Sequence, residues 1–195
     1  YVQHVYDRPE VTVYDDAMTG VHGYSYDMVD LKSAWEAGFT GQGMLVAVLD
    51  TGLDLQYGMW GDSANPEVGI RRVHQAFSDD SFLHDPDDAQ EGWTLRYTNE
   101  SLRIFLETTD LFSTTGIDGK ITWDNNALYK NRKVPYACDY ADLDMNVMPL
   151  ESDHGTHVSG TVAGYAETED GEVIFSGVAP DAQLLAMKVF GTWGG

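Results

Sequence analysis

The sequence predicts an α/β fold, on three observations. The run MLVAVLD, residues 44–50, is apolar up to its last position and is bounded by glycines. That is the pattern of a strand buried on both faces of a parallel sheet. QLLAMKVF, residues 183–190, has the same character, and HGTHVSGTVAGYA, residues 154–166, reads as a helix with its glycines on one side. Strand, helix and strand joined by short links form a βαβ unit, which sets the class.

The other segments are read in chain order. Residues 1–30 are aromatic and turn-rich without a sustained period, as in an extended lead-in along a surface. MVDLKSAWEAGF places Met28, Leu31, Trp35 and Phe39 near helical spacing, with Gly38 as a stop. SDDSFLHDPDDAQEGW, from residue 78, is an acidic loop, LRIFLETTDLF is a short helix or strand, and TTGIDGKITWDNN is a turn between strands. The block 78–135 therefore reads as a surface insertion. KVPYACDYADLD returns to a strand pattern, and EDGE and GVAPDA mark turns on either side of the next segment.

Composition narrows the function. Thirty-two acidic against 11 basic residues give a net charge of −21, a field that repels phosphate backbones and anionic membranes, so nucleic acid is not an expected partner. The single cysteine, Cys138, excludes an intrachain disulfide and a cysteine-rich metal cage. No apolar run approaches the ~18 residues of a membrane span.

Two places carry candidate chemistry. VAVLDTGLD sets Asp50 at the carboxyl end of a strand, the edge of an open parallel sheet where ligands and catalytic groups collect. An aspartate there also serves simply to cap a turn, and Asp54 reads as a turn residue. DHGTHVSGTVAG sets His154 at a helix head and His157 one turn on. These two could be packing residues, metal ligands or a catalytic base. Zinc is disfavoured, because H-E-x-x-H spaces its histidines by four and supplies a glutamate, whereas these are three apart with Gly and Thr between. Gly155, Gly160 and Gly164 each cost a helix interior about 1 kcal/mol relative to alanine. They make sense where the helix approaches its neighbours closely, which would hold His154 beside the strand end of Asp50.

Taken together and in this order, VAVLDTGLD, DHGTHVSGTVAG and GVAPDAQLLAMKVF resemble the Asp block, the His block and the following strand of the subtilisin-like serine proteases, over residues 41–56 and 150–190. KVPYACDYADLD and GVAPDAQLLAMKVF are most similar to bacterial cell-envelope proteinases of the lactocepin type. The resemblance implies a mainly parallel subtilisin-like sheet with helices on both faces, incomplete in this chain. Residues 1–40 would then be a lead-in, and 41–195 the amino-terminal part of a catalytic domain bearing the 78–135 insertion. It further implies that Asp50 is the triad aspartate, His154 the general base and His157 a structural position, in a serine endopeptidase.

The family's serine and oxyanion-hole asparagine blocks do not occur in these residues. The nucleophile is therefore expected on a carboxyl-terminal remainder, and the isolated chain is expected to be inactive. Ser152 reads as a capping or turn residue and Ser159 as a small packing residue. A subtilase-like protein without the nucleophile, acting as a pseudoprotease or binding module, is the alternative. The resemblance also implies a protein or peptide substrate, a secreted or cell-wall-associated location, and no cofactor for catalysis. Structural calcium is common in such proteins. DLDMN offers Asp142, Asp144 and Asn146 at alternate positions but has Val147 where an EF-hand loop needs glycine, so no ligands are assigned. NES at Asn99 matches a glycosylation sequon by pattern only.

Overall fold

A computed structural model describes residues 23–57, 72–73, 75–108, 128–143, 145–149 and 152–191. Its centre is a parallel sheet in which β7 (Gln183–Lys188) lies between β1 (Leu45–Asp50) and β4 (Tyr136–Asp139). β1 pairs with β7 from Leu45–Gln183 to Asp50–Lys188, and β4 pairs with β7 from Tyr136–Leu185 to Asp139–Lys188. All three strands thus end level, at Asp50, Lys188 and Asp139. The α/β class holds.

Alternation along the strands builds two cores. Val48, Ala137, Leu184 and Ala186 face α4 (His154–Ala163), where Val158, Val162, Ala163 and Phe77 close over them. On the opposite face Tyr136, Cys138, Leu185 and Met187 meet Leu102 and Leu106 of α3 (Asn99–Thr108), together with Leu128. Full burial of a side chain such as Leu184, 0% exposed, contributes about 1.5–3 kcal/mol. The 78–135 segment therefore supplies core as well as surface. Its LRIFLETTDLF part is helical to Thr108, and TTGIDGKITWDNN lies outside the described residues.

β1 departs from the sequence expectation of burial on both faces. Val48 is buried against α4, but Ala47 and Leu49 are exposed, Leu49 to 57%. The reason is positional: α3 covers β4 and β7, and no described element covers that face of β1. In QLLAMKVF the strand ends at Lys188, leaving Val189 and Phe190 exposed.

Three further readings are corrected. Residues 23–28 of the supposed extended lead-in form a helix, α1 (Gly23–Met28), and 1–22 lie outside the described residues. A left-handed Asp30 (φ 54) separates it from α2 (Leu31–Glu36), so MVDLKSAWEAGF is not one amphipathic helix. Of its apolar positions only Leu31 is buried, while Met28 and Phe39 are exposed. α4 ends at Ala163 rather than continuing to Ala166, because Gly164 is extended (φ −63, ψ 146) and the chain turns into β5 (Tyr165–Glu167). β5 pairs antiparallel with β6 (Val173–Ser176) across the EDGE turn. Tyr26 Oη donates to Ser176 O at 2.7 Å and Trp35 Nε1 to Val178 O at 2.9 Å, which docks the two leading helices on the end of β6 and the turn that follows it. Two short two-residue strands, β2 (Gln56–Tyr57) and β3 (Arg72–Val73), pair antiparallel ahead of a 3-10 turn at Gln75–Phe77.

The amino end of the sheet is tied down by polar groups. Gln183 Nε2 donates to Tyr97 O and Arg132 O, and its Oε1 accepts the Tyr97 N–H. Lys133, fully buried, donates to Pro180 O at 2.5 Å with its ammonium 4.5 Å from the centre of the Phe82 ring. Burial pulls that ammonium down to a pKa of about 7 against the opposing charge of Asp181.

Candidate active site

The carboxyl end of the sheet is built around the turn that follows β1. Val189 N–H donates to Asp50 O at 2.9 Å, fixing the strand end against β7. Gly52 then takes φ +118, and a Cβ there would strike Val147 O, so only glycine fits. Leu53, fully buried, donates its N–H to Val147 O.

The same turn closes the head of α4. The N-cap residue Asp153 makes no side-chain cap bond. The free N–H groups of the first helical turn are met by neighbours instead. Ser152 Oγ accepts from His154 N at 3.3 Å, and Thr51 Oγ1 accepts from Gly155 N at 2.9 Å while donating to Ser152 O at 2.9 Å. Asp54 N in turn donates to Thr156 Oγ1 at 2.8 Å. Gly155 makes this approach sterically feasible: a Cβ on it would strike Gly52 O and lie 3.1 Å from Asp50 Cβ.

These bonds bring together two residues 104 positions apart. His154 Nδ1 is 2.8 Å from Asp50 Oδ1, and the Thr51 N–H donates to the same oxygen at 2.7 Å. An ionised carboxylate only accepts, so Nδ1 carries the proton and Nε2 of the neutral ring keeps its lone pair. The Asp50 side chain is 16% exposed and that of His154 65% exposed, so the imidazole projects from the protein above a sheltered carboxylate. Burial pushes the Asp50 carboxyl up, but the His154 hydrogen bond, the Thr51 N–H and the imidazolium charge together outweigh it and hold it below its ordinary value.

That depression has a consequence in acid. A carboxyl with a lowered folded-state pKa contributes stability above its unfolded value, about 3.9, and loses it as pH falls through the folded value. Asp50→Asn removes this contribution. The stability gap between parent protein and variant, measured by denaturant unfolding across pH, is expected to narrow below about pH 4. A gap that is constant with pH would count against the pairing.

The other sequence candidates take lesser places. His157 is exposed one turn along α4, its N–H on Asp153 O. Ser159 is 1% exposed inside the helix packing, and Asn99 is the first residue of α3. Asp142 Oδ2 accepts from the Lys188 ammonium at 2.9 Å, Asn146 Oδ1 accepts from Met148 N at 3.3 Å, and Asp144 lies outside the described residues. Among the described residues no three His, Cys, Asp or Glu side chains stand together as a metal group, and no helix is long and apolar enough to cross a membrane.

Sequence reasoning missed Lys188. It is 3% exposed and donates to Asp139 Oδ2 at 2.5 Å as well as to Asp142. Burial lowers the ammonium's pKa, but the two carboxylates raise it further, so it stays charged. The available signal was a lysine inside the apolar run LLAMKVF, a position where an unpaired charge is not tolerated.

Residues 41–195 match the model of the Subtilase family, Peptidase S8. The chain belongs to the subtilase family. It is 27% identical over 166 residues to the PII-type proteinase of Lactococcus lactis subsp. cremoris, covering 84% of this chain and 6% of that protein. Over 116 residues it is 32% identical to the minor extracellular protease Vpr of Bacillus subtilis, covering 54% of this chain and 12% of that protein. The C5a peptidase of Streptococcus pyogenes is 27% identical over 164 residues, covering 84% of this chain and 10% of that protein. The chain thus spans a small fraction of the length of these curated relatives.

Proposed function

We propose that this chain is the Asp–His part of the catalytic domain of a serine endopeptidase, with the nucleophilic serine on a segment outside these 195 residues. The observation that carries the reading is the 2.8 Å pairing of His154 Nδ1 with Asp50 Oδ1, which leaves Nε2 turned outward. Asp50 fixes the tautomer and orientation of the ring and stabilises the imidazolium when it forms. His154 Nε2 takes the proton of the serine hydroxyl as that oxygen attacks the peptide carbonyl. It then returns the proton to the leaving amine. Membership of the subtilase family and the protease names of the relatives support this chemistry.

The substrate is then a protein or peptide, and the chain's essential partner is the remainder of its own catalytic domain. The name of the Bacillus subtilis relative, an extracellular protease, supports an extracellular location. The reaction needs no cofactor, and a calcium ion of the kind common in the family would act on the fold rather than on the chemistry.

A fluorophosphonate probe applied to the full-length protein is expected to label a single serine outside residues 1–195, and the 195-residue piece alone is expected neither to be labelled nor to hydrolyse peptides. Properly folded full-length protein that takes up no label would sink the reading in favour of a subtilase-like binding module.

A further inference from the structure

We infer that Lys188 is a positioning residue for the Asp50–His154 pair, acting through the turn at Gly52; the inference rests on the peptidase reading above. β7 carries Lys188 between Asp50 of β1 and Asp139 of β4, so three in-register side chains form one row across the carboxyl end of the sheet. The Lys188 ammonium is fixed from two directions, by Asp139 Oδ2 and Asp142 Oδ2. Asp139, 1% exposed, is itself held, its Oδ1 accepting the N–H groups of Ala141 and Asp142 at 2.9 Å each.

With its tip clamped, the lysine stem lies under the turn that follows Asp50. Its Cδ is 3.3 Å from the position a Gly52 Cβ would take. Gly52 sits next to Thr51, whose hydroxyl bridges to the first turn of α4. The path from ammonium to imidazole therefore runs through packed atoms and named hydrogen bonds: Asp139 and Asp142, the Lys188 stem, Gly52, Thr51, and the head of α4. Stability alone does not account for the arrangement, because a buried ion pair is often matched or bettered by well-packed apolar side chains of similar volume. A fixed charge pair does what an apolar side chain cannot: it sets the direction of the stem.

The test uses full-length protein, with active sites counted by fluorophosphonate titration, and compares kcat, KM and the pH–rate profile of peptide hydrolysis. Two variants are needed. Asp142→Ala removes the more exposed partner, 36% exposed, and spares the buried core of the cluster. Lys188→Met with Asp139→Asn removes both buried charges together, so that neither is left alone in the interior, and keeps only the more exposed Asp142 carboxylate. Per titrated site, kcat is expected to fall about 10-fold in the first and up to about 10²-fold in the second, with KM changed by less than about 2-fold. The acid limb of the profile is expected to move in both. Parent-like kcat and pH profile in both variants would overturn the inference, since a role in folding alone alters the number of active sites and not the turnover of each. Parent protein that takes up no fluorophosphonate would instead remove the peptidase reading, and this inference with it.

Discussion

Replacing His154 by alanine in the full-length protein is expected to lower kcat for peptide hydrolysis by roughly 10⁵–10⁶-fold, and Asp50→Asn by roughly 10⁴-fold. These magnitudes come from subtilisin itself, the family's namesake, where loss of the base alone costs about 2 × 10⁶ in kcat and loss of the aspartate about 3 × 10⁴. What this protein adds is the reason the two losses should differ. In the proposed mechanism His154 moves the proton, and no other described titratable side chain is bonded to its ring. Asp50 in that mechanism acts on His154 only by orientation and charge, and an asparagine in its place would still be held by the Thr51 N–H. With its amide nitrogen toward Nδ1, asparagine would favour the wrong tautomer. KM should change little in either variant, because the proposed mechanism gives neither group a part in binding the substrate in the ground state. Comparable kcat for parent and His154→Ala would remove the proposed role.

Gly155→Ala is expected to lower both turnover and stability, and the sign of the stability change runs against helix propensity. Alanine is the better helix former by about 1 kcal/mol. Here, however, the added methyl would strike Gly52 O, lie 3.0 Å from Gly52 N and lie 3.1 Å from Asp50 Cβ. The first two are backbone atoms in a turn that already holds φ +118, and they cannot give way as a flexible side chain could. The helix head must move instead, carrying His154 away from Asp50. Overpacking of this kind costs about 1–3 kcal/mol, and a displacement on the order of 1 Å at a reacting group lowers turnover about 10²-fold. Gly160→Ala is the control on the same helix. Its added methyl would meet Phe175 at 3.5 Å, ordinary contact, so the variant should be unchanged or more stable by up to about 1 kcal/mol. Thermal unfolding and kcat of the two variants decide the matter. Equal behaviour would show that the fit of α4 against the β1 turn does not matter.

The site was more legible in the sequence than the elements around it. Asp50 and His154 each stand at the end of a strongly patterned segment, the first closing an apolar run and the second opening a glycine-marked helix. Those ends are where a parallel sheet and its crossover helix must meet. The glycine reading held in part: Gly155 admits the β1 turn and Gly164, just past the helix end, admits Phe175 of β6, whereas a methyl at Gly160 would make only ordinary contact. The β5–β6 hairpin was not readable. Its strands are three and four residues long, and Ile174 is half exposed, so the pairing leaves no alternation to detect. The break between α1 and α2 was hidden for another reason. It rests on Asp30 in the left-handed region, a conformation that aspartate tolerates but does not announce. Lys188 was missed although it is a charge inside an apolar run, and its partners lie 49 and 46 positions away. Nothing local in the sequence points to them.

In the proposed function His154, held by Asp50, is the base that activates a serine, and His157 is not. The most direct measurement is the rate of fluorophosphonate labelling of the full-length protein for parent, His154→Ala and His157→Ala, side by side. Rapid labelling of one serine is expected in the parent, a rate lowered by several orders of magnitude in His154→Ala, and near-parent labelling in His157→Ala, whose side chain is exposed on α4. Labelling that survives in His154→Ala, or that is lost in His157→Ala alone, would contradict it.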